Sequence, residues 1–205
     1  MKIVLIGGPG SGKGTRAKLI SKKFEIPHIS MGGLCREHVK KEGEHADYVK
    51  ECELKGILTK DEITMELLKE RLSEEDCQKG FVLDGFPRTI GQAKMMNEVD
   101  HILHFDCDEE ILLKRLTGRL TCKECGNLFN LHGPLPEKEG KCDYCDGDLM
   151  VRHDQKEHIV KERMNVYKEQ TEPLLDYYKD KIKKFDVSKE VDESVAEIID
   201  FLQIN

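Results

Sequence analysis

The chain has 205 residues, enough for one domain with a sizeable core and small insertions. Apolar residues make up 38% and charged residues 36%, and no apolar run approaches the length of a membrane span, so no membrane partner is expected. A formal net charge of −7 argues against nucleic acid as the main ligand, because phosphate backbones select basic faces.

Residues 2–6, KIVLI, form a short apolar run ending in glycines, which predicts a buried parallel strand. The run is too short for a signal peptide and passes straight into a glycine loop. After that loop, Ala17, Leu19, Ile20 and Phe24 predict a helix, and Pro27 and Ile29 a second strand. Residues 30–59 are polar and helical without a strand candidate. Ile63, Leu67, Leu68 and Leu72 share a helical spacing. Residues 81–84 and 101–105 predict two more strands, and residues 184–187 a last one. Val191, Val195, Ile198, Ile199 and Leu202 then fall on one helical face. Residues 118–155 hold five glycines, two prolines and four paired cysteines, too irregular for a helix and too long for an ordinary loop. Strands alternating with helices imply an α/β fold, a parallel sheet covered on both faces. Residues 1–29, 60–117 and 156–205 are expected to form this core, with 30–59 and 118–155 inserted into it.

The glycine loop reads GGPGSGKGT over residues 7–15. A strand, a glycine turn and a helix start form the setting in which backbone N–H groups and a helix N-terminus hold phosphate. Gly10, Ser11, Gly12, Lys13, Gly14 and Thr15 are the candidate cradle, with Lys13 reaching the outer phosphates. A P-loop usually has Ser or Thr directly after its lysine to hold Mg²⁺; here Gly14 intervenes. Water and an acid such as Asp84, at the end of an apolar strand, are expected to serve instead.

Cys122 and Cys125, then Cys142 and Cys145, form two C-x-x-C pairs. That pattern predicts a structural Zn²⁺ with four thiolates and no open position for substrate. Iron is the alternative metal, and two disulfides the metal-free alternative. Cys35, Cys52, Cys77 and Cys107 are scattered and read as free thiols, which suits a reducing cytoplasmic compartment. Lysine outnumbers arginine 25 to 8, so each arginine is worth locating. Arg36, Arg88, Arg119, Arg152 and Arg163 fall near the insertions and the DGFPR stretch. Planar guanidinium forks suit the charge stabilisation that phosphoryl transfer requires.

GGPGSGKGT at 7–15, HIS at 28–30 with Arg36, DGFPRT at 84–89 with Gln92, TGR at 117–119, and VY and QTEPL between 166 and 174 together resemble adenylate kinases of the long, zinc-lid type. The resemblance spans almost the whole chain. It implies a P-loop NTPase core with a helical NMP-binding insertion and a zinc-stapled lid. The implied reaction is reversible transfer from ATP–Mg²⁺ to AMP, giving two ADP, by a monomer. ATP phosphates are then expected on the loop, with Arg119 and Lys189 as further ATP contacts. Met31, Arg36, Ile57, Leu58, Thr59, Gly85, Arg88 and Gln92 are expected around AMP, with Arg152 and Arg163 on the group in transit. Lys13, Asp84, Arg88, Arg119, Arg152, Asp154 and Arg163 carry the expected catalytic roles.

The sequence departs from the family pattern at Met31 and Gly33, where Thr and Asp are usual, and at Arg16, Thr59, Lys60, Phe129, Asn130, Gln155 and Val187. Met31 and Gly33 bear on base selectivity and metal affinity. The rival readings are a CMP or UMP kinase, a catalytically weak ATP-binding regulator, and a zinc-ribbon nucleic-acid binder.

Overall fold

A computed structural model describes residues 1–96, 98–133 and 135–204. Five parallel strands form the central sheet: β1 (Lys2–Gly7), β2 (His28–Ser30), β3 (Phe81–Asp84), β4 (His101–Asp106) and β8 (Ile182–Asp186). Their order is β2-β3-β1-β4-β8. The period-2 alternation of β1 divides its apolar residues between the faces. Val4 and Ile6 join Ile29, Leu83 and Phe86 in one core, while Ile3 and Leu5 join Ala17, Ile20, Leu103 and Ile198 in the other. Burial on both faces explains why β1 and β3 are almost wholly apolar, whereas the edge strand β8 keeps Lys183 and Lys184 exposed. β1 lies where the chain's progression reverses: β2 and β3 continue to one side, β4 and β8 to the other. The loop after β1 therefore opens at a topological switch point, the usual ligand crevice of such sheets.

The helices are α1 (Lys13–Phe24), α2 (Met31–Lys40), α3 (Ala46–Lys55), α4 (Asp61–Leu72), α5 (Ile90–Met95), α6 (Glu109–Thr117), α7 (Glu157–Val166), α8 (Leu174–Tyr177) and α9 (Val191–Ile204). Ser30 ends β2 and caps α2, its hydroxyl accepting from the Gly33 amide at 3.3 Å. A wide π-turn, Tyr167–Thr171, joins α7 to the segment leading into α8. The last strand begins two residues before its predicted start, because Ile182 pairs with Ile102. Within residues 118–155 the structure holds a three-stranded antiparallel sheet, absent from the sequence reading: β5 (Arg119–Cys122), β6 (Leu128–Asn130) and β7 (Leu149–Met150), in the order β6-β5-β7. Pro134 of this segment lies outside the described residues. No helix among the described residues is long and apolar enough to cross a membrane.

Candidate active site

The glycines of the loop are fixed by close approach and by backbone conformation. A Cβ at Gly7 would fall 2.7 Å from the Phe105 carbonyl oxygen, and one at Gly10 2.6 Å from that of Leu112. Gly10 and Gly12 have φ of 88° and 77°, a region that side chains disfavour. Gly12 stands at the α1 N-terminus without a side-chain cap, so the first N–H groups of the helix remain available to an anion. Lys13 folds over the loop: its Nζ donates to the carbonyls of Gly7 at 2.7 Å and Gly8 at 2.9 Å, and to Ser11 Oγ at 3.3 Å. Burial, reinforced by Arg88, Arg119 and Arg163 and opposed by Asp84, lowers its pKa to about 8.

Asp84, at the carboxyl end of β3, faces this lysine. Burial would raise its pKa, but His28, Lys13 and Arg88 outweigh burial and hold the carboxyl below its ordinary value. Its Oδ2 is 3.7 Å from His28 Nε2 and 3.4 Å from the Cβ position at Gly14. An anionic acid beside the residue after the lysine fits the requirement for a Mg²⁺-orienting group where no hydroxyl is present.

The DGFPR turn aims the next cation. Gly85 has φ 79°, and the Arg88 Nε donates to its carbonyl at 2.8 Å. The Gln92 amide braces the turn, accepting from the Arg88 amide at 2.7 Å and donating to Asp61 at 2.9 Å. Thr89 donates to the same Asp61, and Thr171 to the Arg88 carbonyl.

Three more guanidinium groups arrive from the lid boundary and α7. Asp154 organises two of them: its Oδ2 accepts from Arg152 and from Arg163, each at 2.7 Å. Burial works against its anionic form, but Arg163, Arg152 and Arg119 together pull its pKa below the usual range. Burial and neighbouring arginines also lower Arg163, to about 10, leaving it cationic at neutral pH. Among the described residues the Arg119 guanidinium has no hydrogen-bond or ion-pair partner, although Arg152, Asp154 and Asp84 lie within its field. Arg36 on α2 meets Glu53 on α3 at 3.3 Å, and Arg152 reaches the same Glu53 oxygen at 3.5 Å. Lys13, Arg36, Arg88, Arg119, Arg152 and Arg163 thus form one electrostatic cluster answered by Asp84, Asp154 and Glu53.

The other expected residues are placed as follows. Met31 is 3% exposed and packs in the core beneath α2, presenting no polar atom. Gln92 is 2% exposed with both ends of its amide engaged within the protein, so its visible role is to shape the Arg88 turn. The Lys189 side chain pairs with Glu193 and Glu197 of α9. Ile57 is exposed, and Leu58 and Thr59 half-buried, in the segment joining α3 to α4. Glu53 carried no signal of its role in the sequence, and Gln155 stood out only as a departure from the family pattern. Glu53 bridges two arginines, and Gln155 spans the lid boundary. The Gln155 amide donates to the carbonyls of Leu116 at 3.0 Å and Arg119 at 2.7 Å while accepting from the Arg152 amide at 2.6 Å.

In the lid, the Sγ atoms of Cys122, Cys125, Cys142 and Cys145 lie within 4.8 Å of one another. The Cys122–Cys145 and Cys125–Cys142 separations are both 3.5 Å, close to the roughly 3.8 Å edge of a zinc–thiolate tetrahedron with 2.3 Å bonds. Each pair sits on a tight turn, with the amides of Gly126 and Asp146 donating to the carbonyls of Cys122 and Cys142. The donor set and spacing fit a closed, structural zinc site.

The family model described as adenylate kinase matches residues 5–183. An adenylate kinase of Caldicellulosiruptor bescii is 49% identical over 88% of this chain and 88% of its own. One from Archaeoglobus fulgidus is 45% identical over 91% and 90%, and one from Thermosipho africanus 41% identical over 99% and 100%.

Proposed function

The chain belongs to the adenylate kinase family and catalyses ATP + AMP ⇌ 2 ADP; from that premise we propose how its own residues share the work. Residues 10–15 hold the ATP phosphates through backbone N–H groups, with Lys13 moving from the loop carbonyls onto the outer phosphates. Arg36 and Arg88 grip the AMP phosphate, and residues 57–59 with Gly85 form the edge of the acceptor pocket. Arg119, Arg152 and Arg163 neutralise the phosphoryl group in transit. Asp154 keeps two of these forks in register. Residues 30–59 and 118–155 act as the two segments that close over the reactants and exclude water. The Mg²⁺ that accompanies ATP would be oriented by Asp84, supplying charge neutralisation to the phosphates. Cys122, Cys125, Cys142 and Cys145 would hold Zn²⁺, which staples the lid.

In this reaction the bond from the γ-phosphorus to the β,γ-bridging oxygen breaks and one to an AMP phosphate oxygen forms. The acceptor is already an anion, so no general base is needed, and catalysis rests on positioning and electrostatics. Convergence of six cations from five separate chain segments on one crevice is the observation that supports the reading. Neither a pyrimidine acceptor, a regulatory role nor nucleic-acid binding finds support in the relatives. The test is ADP formation by wild type and Lys13→Met. Turnover should fall by at least about a thousand-fold with an unchanged melt, the scale of losing a transition-state charge contact. Near-normal turnover would remove Lys13 from the mechanism.

A further inference from the structure

Arg16, in the first turns of α1, is 1% exposed, yet among the described residues no carboxylate lies within ion-pair distance of it. Buried guanidinium groups ordinarily have an acidic partner. Here the acceptors are neutral and come from three places. Nε donates to Ser194 Oγ on α9 at 2.8 Å, and Nη1 to the Ser11 carbonyl of the phosphate loop at 3.4 Å. Nη2 donates to the carbonyls of Val187 at 3.3 Å and Lys189 at 3.4 Å. The same guanidinium underlies the loop itself, since a Cβ at Gly12 would fall 2.5 Å from Nη1. Burial, with repulsion from Arg115, lowers the pKa to about 10, so the group remains a cation at neutral pH.

The segment after β8 that Arg16 grips is held from its other side as well. Arg115 Nη1 donates to the Val187 carbonyl at 2.8 Å, and its Nη2 to that of Ser188 at 3.2 Å. Three consecutive carbonyls, at residues 187–189, are therefore engaged by two guanidinium groups. Loop and strap both open at the carboxyl edge of the sheet, separated by β4. The strands that lead into them, β1 and β8, are two strand spacings apart, about 10 Å, and one guanidinium bridges the segments that follow, a gap that a nucleotide lying along this edge can cover from phosphates to base.

We propose that Arg16 is a positioning residue for the donor nucleotide: by tying the 187–189 strap to the phosphate loop it fixes the span between the donor's phosphates and its base. The inference rests on the assignment of the ATP phosphates to residues 10–15 and of the ATP contact expected at Lys189 to the donor's base. It predicts a loss confined to ligands that engage both ends of that span. Inorganic tripolyphosphate, which has no base, engages one.

The experiment measures binding of ATP and of tripolyphosphate, each with Mg²⁺, to wild type, Arg16→Gln and Ser194→Ala by calorimetry, together with KM for AMP. Ser194→Ala keeps the guanidinium and removes one anchor, and it decides the matter if Arg16→Gln does not fold. The expected result for Arg16→Gln is ATP binding weaker by about 10-fold, with tripolyphosphate within about two-fold and KM for AMP unchanged. Ser194→Ala should show the same selectivity at about three-fold, as the loss of one hydrogen bond from the set allows. Equal weakening of ATP and tripolyphosphate would overturn the proposal, making Arg16 a buried charge acting on the loop. Unchanged ATP binding in both variants would overturn it too. Lys13→Met is the control: if it leaves tripolyphosphate binding intact, the donor-phosphate assignment itself has failed.

Discussion

Lys13 is useful to phosphate only as a cation, and its pKa is lowered to about 8 by burial and by Arg88, Arg119 and Arg163. The charge is lost as pH rises through that value, so kcat/KM for ATP, which reports the free enzyme, should fall above pH 8. A profile flat to pH 10 would show that Lys13 does not titrate there. Glu53 presents the opposite case, an anion inside a site for anions. Its carboxylate meets Arg36 at 3.3 Å and Arg152 at 3.5 Å, where the AMP phosphate is proposed to bind. Substrate must displace or crowd it, so Glu53→Gln should lower KM for AMP by about three- to ten-fold, a shift of roughly 1 kcal/mol for a partly exposed pair. A raised KM would instead make Glu53 a support for the arginines. Lys13, the four lid cysteines and Arg88 were legible in the sequence because each sits in a local motif whose spacing carries the chemistry. Glu53 was not, because its partners come from α2 and from the lid boundary. Arg16 was seen as a departure, but its role depends on Ser194, 178 residues away. Met31 and Gln92 were expected at the acceptor from motif position alone; what the motif did not carry is that Met31 packs in the core and that the Gln92 amide joins the Arg88 turn to Asp61 of α4.

At the level of elements, β1 and β3 were legible because strands buried on both faces read as continuous apolar runs, bounded here by glycine. The strands of the lid were not. They have four, three and two residues, and their pairing is organised by the cysteine turns rather than by an apolar pattern. Their own core is Cys122, Phe129 and Cys142, with Leu120 and Leu149 against it, too little to hold a sheet unaided. A metal held by the four thiolates would therefore be the main source of order in this element. Cys142→Ser should lower the zinc content and the melting temperature of the lid transition while leaving turnover at low temperature within about ten-fold, because a closed thiolate shell binds no substrate. Complete loss of chemistry with an unchanged melt would make the metal catalytic. Gln155 extends the same logic to the lid boundary, where one buried amide ties Leu116 and Arg119 on one side to Arg152 on the other. A carboxylate there could not donate to those two carbonyls.

Across the whole molecule, two electrostatic scales oppose each other. The chain carries a formal charge of −7, and both substrates are anions, so the distant field repels them. Within the crevice the six cations Lys13, Arg36, Arg88, Arg119, Arg152 and Arg163 are answered by Asp84, Asp154 and Glu53 among the described residues, so the near field attracts. Salt distinguishes the two. Added ions screen charges separated by more than a Debye length, about 10 Å at 0.1 M, and so remove the distant repulsion first. Contacts inside a closed, water-poor crevice are screened far less. If the near field governs capture, raising KCl from about 50 to about 500 mM should lower kcat/KM for both nucleotides by about ten-fold, while kcat changes less than about two-fold. On the proposed closure the split would arise because capture occurs from the open crevice, whereas the chemical step would follow exclusion of the electrolyte by residues 118–155. A kcat/KM that rises with salt would show that the acidic surface, and not the arginine cluster, sets the rate at which substrate arrives.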